Sequence, residues 1–330
     1  TRTGSAMTSP FVAGRHVTHG KACGKARVGL WAAERRATLS CHSASGARRA
    51  ILTDGLRSGT LMRGNKGACA LSQNGQPKLA VANASKFYDT GTGKVHALDD
   101  FSMAVQEGEL ACLLGPSGCG KSTLLWAMAG LHGLSAGEIR LDGRPVTRPN
   151  PQIAMVFQEA NLLPWRNLIR NIELPFEIRG QRPDRARIDA LLAEVGLAGF
   201  ESKMPRALSG GMQQRASIAR ALSVDPSLLP MDEPFGALDA FTRDEMNLLI
   251  QQIWMETRKT IVFITHNIAE AVFLADRVFV MSARPGRLAR IFEIDLPRPR
   301  GLEVLMAPHF IELVGEIKGS IDHKPQVQAA

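Results

Sequence analysis

No apolar run in this 330-residue chain approaches the ~18 residues that a membrane-crossing helix needs, so nothing in it reads as a bilayer span. Aromatics are scarce, at 5%, and Tyr88 is the only tyrosine. The five cysteines (Cys23, Cys41, Cys69, Cys112, Cys119) form no C-x-x-C pair and no zinc spacing, which excludes the common zinc folds. Cys112 and Cys119, set in and just after an apolar run, fit a reducing compartment. Acids are rare at the front. Residues 1–77 hold twelve of the 40 basic residues and two of the 31 acidic ones, leaving 28 against 29 beyond. The net charge of +9 therefore belongs to the front segment, and the remainder is near neutral. A nucleic-acid partner is not expected from it. Residues 1–77 also lack a sustained hydrophobic period and a secretory apolar region. Three readings stand for them: a basic disordered tail, a transit-like peptide, or sequence translated from a start upstream of the true one. The chain opens on Thr1, and Met62 lies just before the first organised segment.

What is present begins with Gly115-Pro116-Ser117-Gly118-Cys119-Gly120-Lys121-Ser122-Thr123, which fits the phosphate-loop pattern G-x-x-x-x-G-K-[ST]. An apolar run, residues 110–114, leads into it as a buried strand, and a helical run, residues 122–131, leads out. Glycines let the backbone curl so that successive N–H groups point at phosphate oxygens. The helix start adds free donors and the positive end of its dipole. Lys121 would reach the β- and γ-phosphates and Ser122 would hold Mg²⁺. Cys119 is expected to be a small loop filler rather than a nucleophile.

Order is expected from about Lys78. Residues 79–84 form a short strand, and Phe87-Tyr88 precede a Gly/Thr turn and a second strand, residues 95–105. Tyr88 either stacks on a nucleotide base or packs in the core. Residues 137–146 read as a hairpin around Asp142-Gly143. Residues 153–157 form a short apolar strand ending at Gln158, and the pattern is helical from Leu168 to about Arg220. Residues 228–231 are a strand ending in Asp232-Glu233-Pro234. A long amphipathic helix, residues 241–258, precedes a β-branched strand, residues 260–265, ending in His266. A helix and two further strands follow. This alternation means α/β with a mostly parallel sheet. Pro297-Arg298-Pro299-Arg300-Gly301 marks a linker, and residues 297–330 are expected to be a tail.

Gln158, Asp232-Glu233 and His266 all follow strands, so an open parallel sheet would gather them beside the phosphate loop. Asp232 suits Mg²⁺ held through water, Glu233 an attacking water, His266 the γ-phosphate, and Gln158 metal and water. Phosphoryl transfer needs such positioning and charge stabilisation more than covalent chemistry. Leu208-Ser209-Gly210-Gly211-Met212 is a second Ser/Gly turn opening a helix, residues 217–222. It is either a second anion-binding helix start or an ordinary N-cap by Ser209.

Together these residues resemble the ATP-binding-cassette family. Gly115–Thr123 is similar to its Walker A motif, Gln158 to its Q-loop and residues 208–212 to its LSGG signature. Residues 228–233 are similar to its Walker B motif, Ala237-Leu238-Asp239 to its D-loop, and His266 to its switch histidine. Residues 161–167 and 234–243 look like the ATPase subunits of bacterial importers for taurine, alkanesulfonates and nitrate. The resemblance covers about residues 78–296. It implies a P-loop NTPase (RecA-like) core with a small antiparallel β subdomain and an inserted helical subdomain at about 159–218. It implies a head-to-tail homodimer, with ATP and Mg²⁺ between one chain's Walker A residues and the other's Ser209, Gly210 and Gly211. It also implies a membrane-embedded permease contacted through Trp165, and an indirect link to a periplasmic or extracellular solute-binding protein. The place implied is the cytoplasmic face of the bacterial inner membrane. Pro230 departs from the family's aliphatic residue. It is expected to remove a sheet hydrogen bond and could misaim Asp232 and Glu233, leaving a weakened cassette as one alternative. A soluble cassette ATPase outside transport is the other.

Overall fold

A computed structural model describes residues 76–91 and 93–322. The expected front segment lies outside the described residues, apart from its last two positions. The described chain builds two sheets and an inserted group of helices.

The first sheet is antiparallel. Its strands are β1 (Leu79–Thr90), β2 (Gly93–Val105), β4 (Ala136–Leu141) and β5 (Arg144–Pro145), in the order β2-β1-β4-β5. β1 runs six residues further than expected because it is irregular: its register with β2 shifts three times between Val81 and Phe87. Those bulges break the alternation by which a strand is recognised in sequence. They also bend the far end of the hairpin, where Tyr88 pairs with Val95, toward the phosphate loop.

The second sheet has the order β6-β7-β3-β8-β9. β3 (Leu110–Leu114) and β7 (Thr260–Thr265) are buried along their whole length, as apolar and β-branched strands covered on both faces should be. β6 (Leu228–Asp232), β7, β3 and β8 (Arg277–Met281) are parallel, and β9 (Leu288–Glu293) returns antiparallel. The register sets Leu114 beside Thr265 and Asp232 beside Ile264. The carboxyl ends of three strands therefore lie on one edge, which is where the chemistry was expected.

Residues 153–157 do not form a regular strand. Only two isolated bridges, Ile153 with Leu228 and Val156 with Met231, join them to β6. Pro230 is the physical reason. Leu228 N–H donates to the Gln152 carbonyl, Ala154 N–H to Leu228, Val156 N–H to Pro230 and Asp232 N–H to Val156. The donor missing from the middle of that alternation, toward the Ala154 carbonyl, is the N–H that Pro230 lacks. The missing hydrogen bond lies on this outer side, and the β6–β7 register runs through Pro230 unbroken.

Between the strands lie α1 (Lys121–Met128), α2 (Leu168–Arg179), α3 (Arg185–Glu194), α4 (Gly210–Ser223), α5 (Ala240–Thr257) and α6 (Ile268–Leu274). Polar residues at the N-terminal ends of five of them accept a backbone N–H: Asn167, Asp184, Ser209, Asp239 and Asn267. α2, α3 and α4 form the inserted helical group, built on Leu168, Ile172, Ile188, Leu192 and Ile218.

The segment after Leu296 is not a tail through Asp322. α7 (Pro308–Asp322) lays Phe310, Leu313 and Ile317 into the core that β8 and α6 share. The proline-rich stretch before it is equally built in. Arg300 is 2% exposed. Its guanidinium donates to the carbonyls of Val272, Phe273 and Ala275 at 2.8–2.9 Å, capping the C-terminal end of α6. Burial lowers its pKa to about 10.

Candidate active site

β3 delivers the phosphate loop, and the glycines allow its shape. Gly118 and Gly120 take φ of +75° and +103°. A Cβ at Gly120 would stand 2.7 Å from the Ala97 carbonyl oxygen, so no other residue fits without displacing β2. Cys119 is buried, and burial pushes its thiol pKa up, which suits a filler and not a nucleophile. Lys121 is 6% exposed, with Nζ donating to the carbonyls of Gly115 at 2.8 Å and Pro116 at 3.1 Å. Its Nζ also lies 3.9 Å from Glu233 Oε1.

β6 and β7 bring the rest. Ser122 Oγ donates to Asp232 Oδ1 at 3.1 Å. Burial raises the Asp232 carboxyl above its usual range, and the Ser122 hydroxyl opposes that shift. Glu233, at φ +42°, donates its own N–H to Ile264 at 3.0 Å. His266 Nδ1–H donates to Glu233 Oε2 at 2.9 Å. Pro230 therefore does not misaim this pair. Asp232 is held by its N–H on Val156 and Glu233 by its N–H on Ile264, and neither bond uses the proline.

Lys121, Ser122 and Glu233 meet at a pocket of about 280 Å³ lined also by Tyr88, Val95, Ser117, Gly118, Gly120 and Thr123. Asp232 and His266 do not line it themselves; they touch it through Ser122 and Glu233. Tyr88 is thus placed at the mouth and not in the core. Gln158 does not line the pocket: its Nε2 lies against Gly236, in the turn that follows Glu233. Ser209, Gly210 and Gly211 do not line it either. Ser209 Oγ accepts the Met212 N–H as an N-cap, and the two glycines open α4, seven residues earlier than the sequence pattern places a helix. A Cβ on Gly211 would stand 2.8 Å from Thr242 Cγ2, so this turn packs against the start of α5. Arg284 also lines the pocket, and the sequence does not flag it. It lies on the β8–β9 turn, 166 positions from the loop carbonyl it contacts.

A glycine loop holding a lysine, a Ser–Asp pair beside it and a Glu–His pair beyond define a phosphate-loop nucleotide triphosphatase. Comparison with known proteins narrows this. Residues 98–236 match the family model of the ABC transporter domain. The chain is 45% identical over 260 residues to the taurine import ATP-binding protein TauB of Rhizobium johnstonii, covering 76% of this chain and 99% of that protein. It is 42% identical over 222 residues to the aliphatic sulfonates import ATP-binding protein SsuB of Bacillus licheniformis, covering 67% and 87%. Its structure is similar to the dimeric post-hydrolysis state of the ATP-binding cassette MJ0796 bound to ADP and Pi. That match has a TM-score of 0.59 and 31% identity, and covers 66% of this chain and 100% of that one. The chain belongs to the ABC transporter family of ATP-binding, ATP-hydrolysing cassettes.

Proposed function

We propose that this chain is the ATPase subunit of an importer for small oxyanions of the taurine, alkanesulfonate or nitrate class, working as a head-to-tail pair. One observation carries the pairing. The Ser209–Gly211 turn presents backbone donors at a helix start yet takes no part in the pocket of its own chain. A second copy facing it would supply the missing wall, and the related cassette MJ0796 was solved as a dimer.

Ser122 and Asp232 fit Mg²⁺. Both offer hard oxygen donors, and the Asp232 carboxylate is buried with only a hydroxyl and a distant lysine to offset its charge. When bound, the ion would neutralise charge on the phosphates. Lys121 exchanges the Gly115 and Pro116 carbonyls for phosphate oxygens. Glu233 orients the attacking water and takes up its proton, and His266 holds the Glu233 carboxylate in place. Tyr88 offers a ring to the base. Gln158 lies against Gly236, three positions after Glu233, and reports on the pocket from outside it.

The loop after Gln158 suits the permease. Buried Asn171 holds it through Leu163 N–H and the carbonyls of Leu163, Arg166 and Asn167. Trp165 stands 71% exposed at its tip. Beside it, Ile153, Met155, Phe157, Leu174 and Ile178 line an apolar groove of about 340 Å³. α4 holds the same loop: Gln214 donates to Phe157 O, and Arg220 to Ala160 O and Asn161 O. Movement of the permease segment would thus be felt at the Ser209 turn. The subunit would sit on the cytoplasmic face of the membrane, against the permease. Among the described residues no helix is long and apolar enough to cross a membrane. A solute-binding protein outside would choose the solute.

The test is ATP-driven uptake in vesicles holding this chain with the permease encoded beside its gene. Taurine, an alkanesulfonate and nitrate are offered in turn. Uptake of one of them, lost with Glu233→Gln, supports the reading. ATP hydrolysis with no uptake of any would overturn the importer assignment.

A further inference from the structure

Residues 282–287 form the turn between β8 and β9, and this turn is fastened to β2 and lies against the phosphate loop. Gly286 N–H donates to Ala97 O at 3.0 Å, and its carbonyl accepts the Asp99 N–H at 3.1 Å. The Ser282 hydroxyl donates to Pro285 O and accepts the Arg287 N–H. Arg287 Nε donates to Asp99 at 2.7 Å. A Cβ at Gly286 would stand 2.1 Å from the Cys119 carbonyl oxygen, so glycine is what lets the turn lie against the loop.

The fastening fixes one cation. Arg284 Nε donates to Gly118 O at 3.1 Å, and the residue lines the same pocket as Tyr88, Ser117 and Lys121. Its neighbour Arg287 is paired with Asp99, whereas no carboxylate pairs with Arg284 among the described residues. A guanidinium carries five N–H donors in a planar fork that matches phosphate oxygens. Arg284 donates one of them to the Gly118 carbonyl, and the others remain for a ligand.

We propose that Arg284 is a nucleotide-binding residue whose guanidinium, aimed by the Gly118 carbonyl, contacts the phosphates of the bound nucleoside triphosphate from the outer lip of the loop. The proposal rests on the reading of this pocket as the nucleotide site. It gives the loop a second cation beside Lys121, contributed from the β8–β9 turn.

The test is calorimetric titration of ATP, ADP and AMP into the full chain, wild type beside Arg284→Ala and Arg284→Lys, without divalent metal and at low salt. Losing charge-assisted hydrogen bonds at a half-open site should weaken ATP about tenfold. The expected pattern is a loss for ATP that exceeds the loss for AMP, partial recovery with lysine, and an unchanged melting midpoint. Equal ATP affinity in Arg284→Ala would overturn the proposal. So would an equal proportional loss for AMP, or a loss confined to hydrolysis with binding intact, which would assign Arg284 to the facing copy. Should the alanine variant fold poorly, Arg284→Gln with full ATP affinity at wild-type salt dependence would overturn the proposal too. Wild type failing to bind ATP would instead defeat the reading of the pocket itself.

Discussion

Replacing Pro230 with valine returns an N–H to β6 at the rung where residues 152–156 find no donor. The two side chains carry the same number of carbons, so the buried site is neither emptied nor overfilled by much. A restored hydrogen bond contributes about 0.5–1.5 kcal/mol. Ala154, the neighbour on that rung, is only half-buried, so water already reaches part of it and the lower end of the range applies. Against this, proline restricts the unfolded chain, and losing that restriction costs about 0.4–1 kcal/mol. The two nearly cancel. Stability should therefore change by less than about 1 kcal/mol. The ATPase rate should stay within about twofold, because Asp232 and Glu233 are held by their own N–H groups on Val156 and Ile264. Chemical denaturation and steady-state hydrolysis on one preparation measure both. A rate that rises about tenfold with valine would show that the proline had displaced the carboxylates. A gain above about 2 kcal/mol would show that the vacant rung costs far more than an outer, partly wetted one should.

Three further outcomes follow from the geometry. Glu233→Gln keeps the shape but not the base, so hydrolysis should fall about 10²–10⁴-fold while ATP still binds; equal loss of binding in a filter assay would contradict the role. Burial raises the Asp232 carboxyl in the folded chain. That group favours folding below the usual carboxylate range and opposes it once ionised, as pH rises through the folded value. Asp232→Asn should accordingly raise the melting point of nucleotide-free protein at neutral pH, with the advantage shrinking as the pH falls through the raised folded value and gone by about 4; a lower melting point at neutral pH would refute this. Phe310→Ala empties a buried site on α7 and should destabilise the fold by about 3–5 kcal/mol, measured by denaturant unfolding. A tail would lose almost nothing.

Legibility in the sequence followed how local each signal was. β7 was readable at its observed ends because a β-branched run stops at His266, and the phosphate loop because its glycines and flanks are contiguous. Residues 153–157 looked like a strand by composition, but strand pairing depends on the partner, and the partner carries Pro230. α4 starts seven residues before its helical pattern because Ser209 caps it and Gly210-Gly211 read as loop. The Pro-Arg-Pro-Arg-Gly stretch suggested a linker. Its Arg300 instead collects the free carbonyls of α6, a role visible only once α6 is placed. Phe310, Leu313 and Ile317 did carry helical spacing that could have identified α7. The place of Gln158 after an apolar run suggests the pocket, and the structure sets it against Gly236. Arg284 had no local sign, since Gly118 meets it only through the closing of the sheet.

The pairing of two copies around the nucleotide is tested most directly by the mass of Glu233→Gln in solution, measured by light scattering with and without ATP. The account predicts a doubling of mass with ATP, abolished when Ser209 is also changed to a bulky residue such as phenylalanine. A wild-type chain that hydrolyses ATP at its full rate as a strict monomer would contradict it.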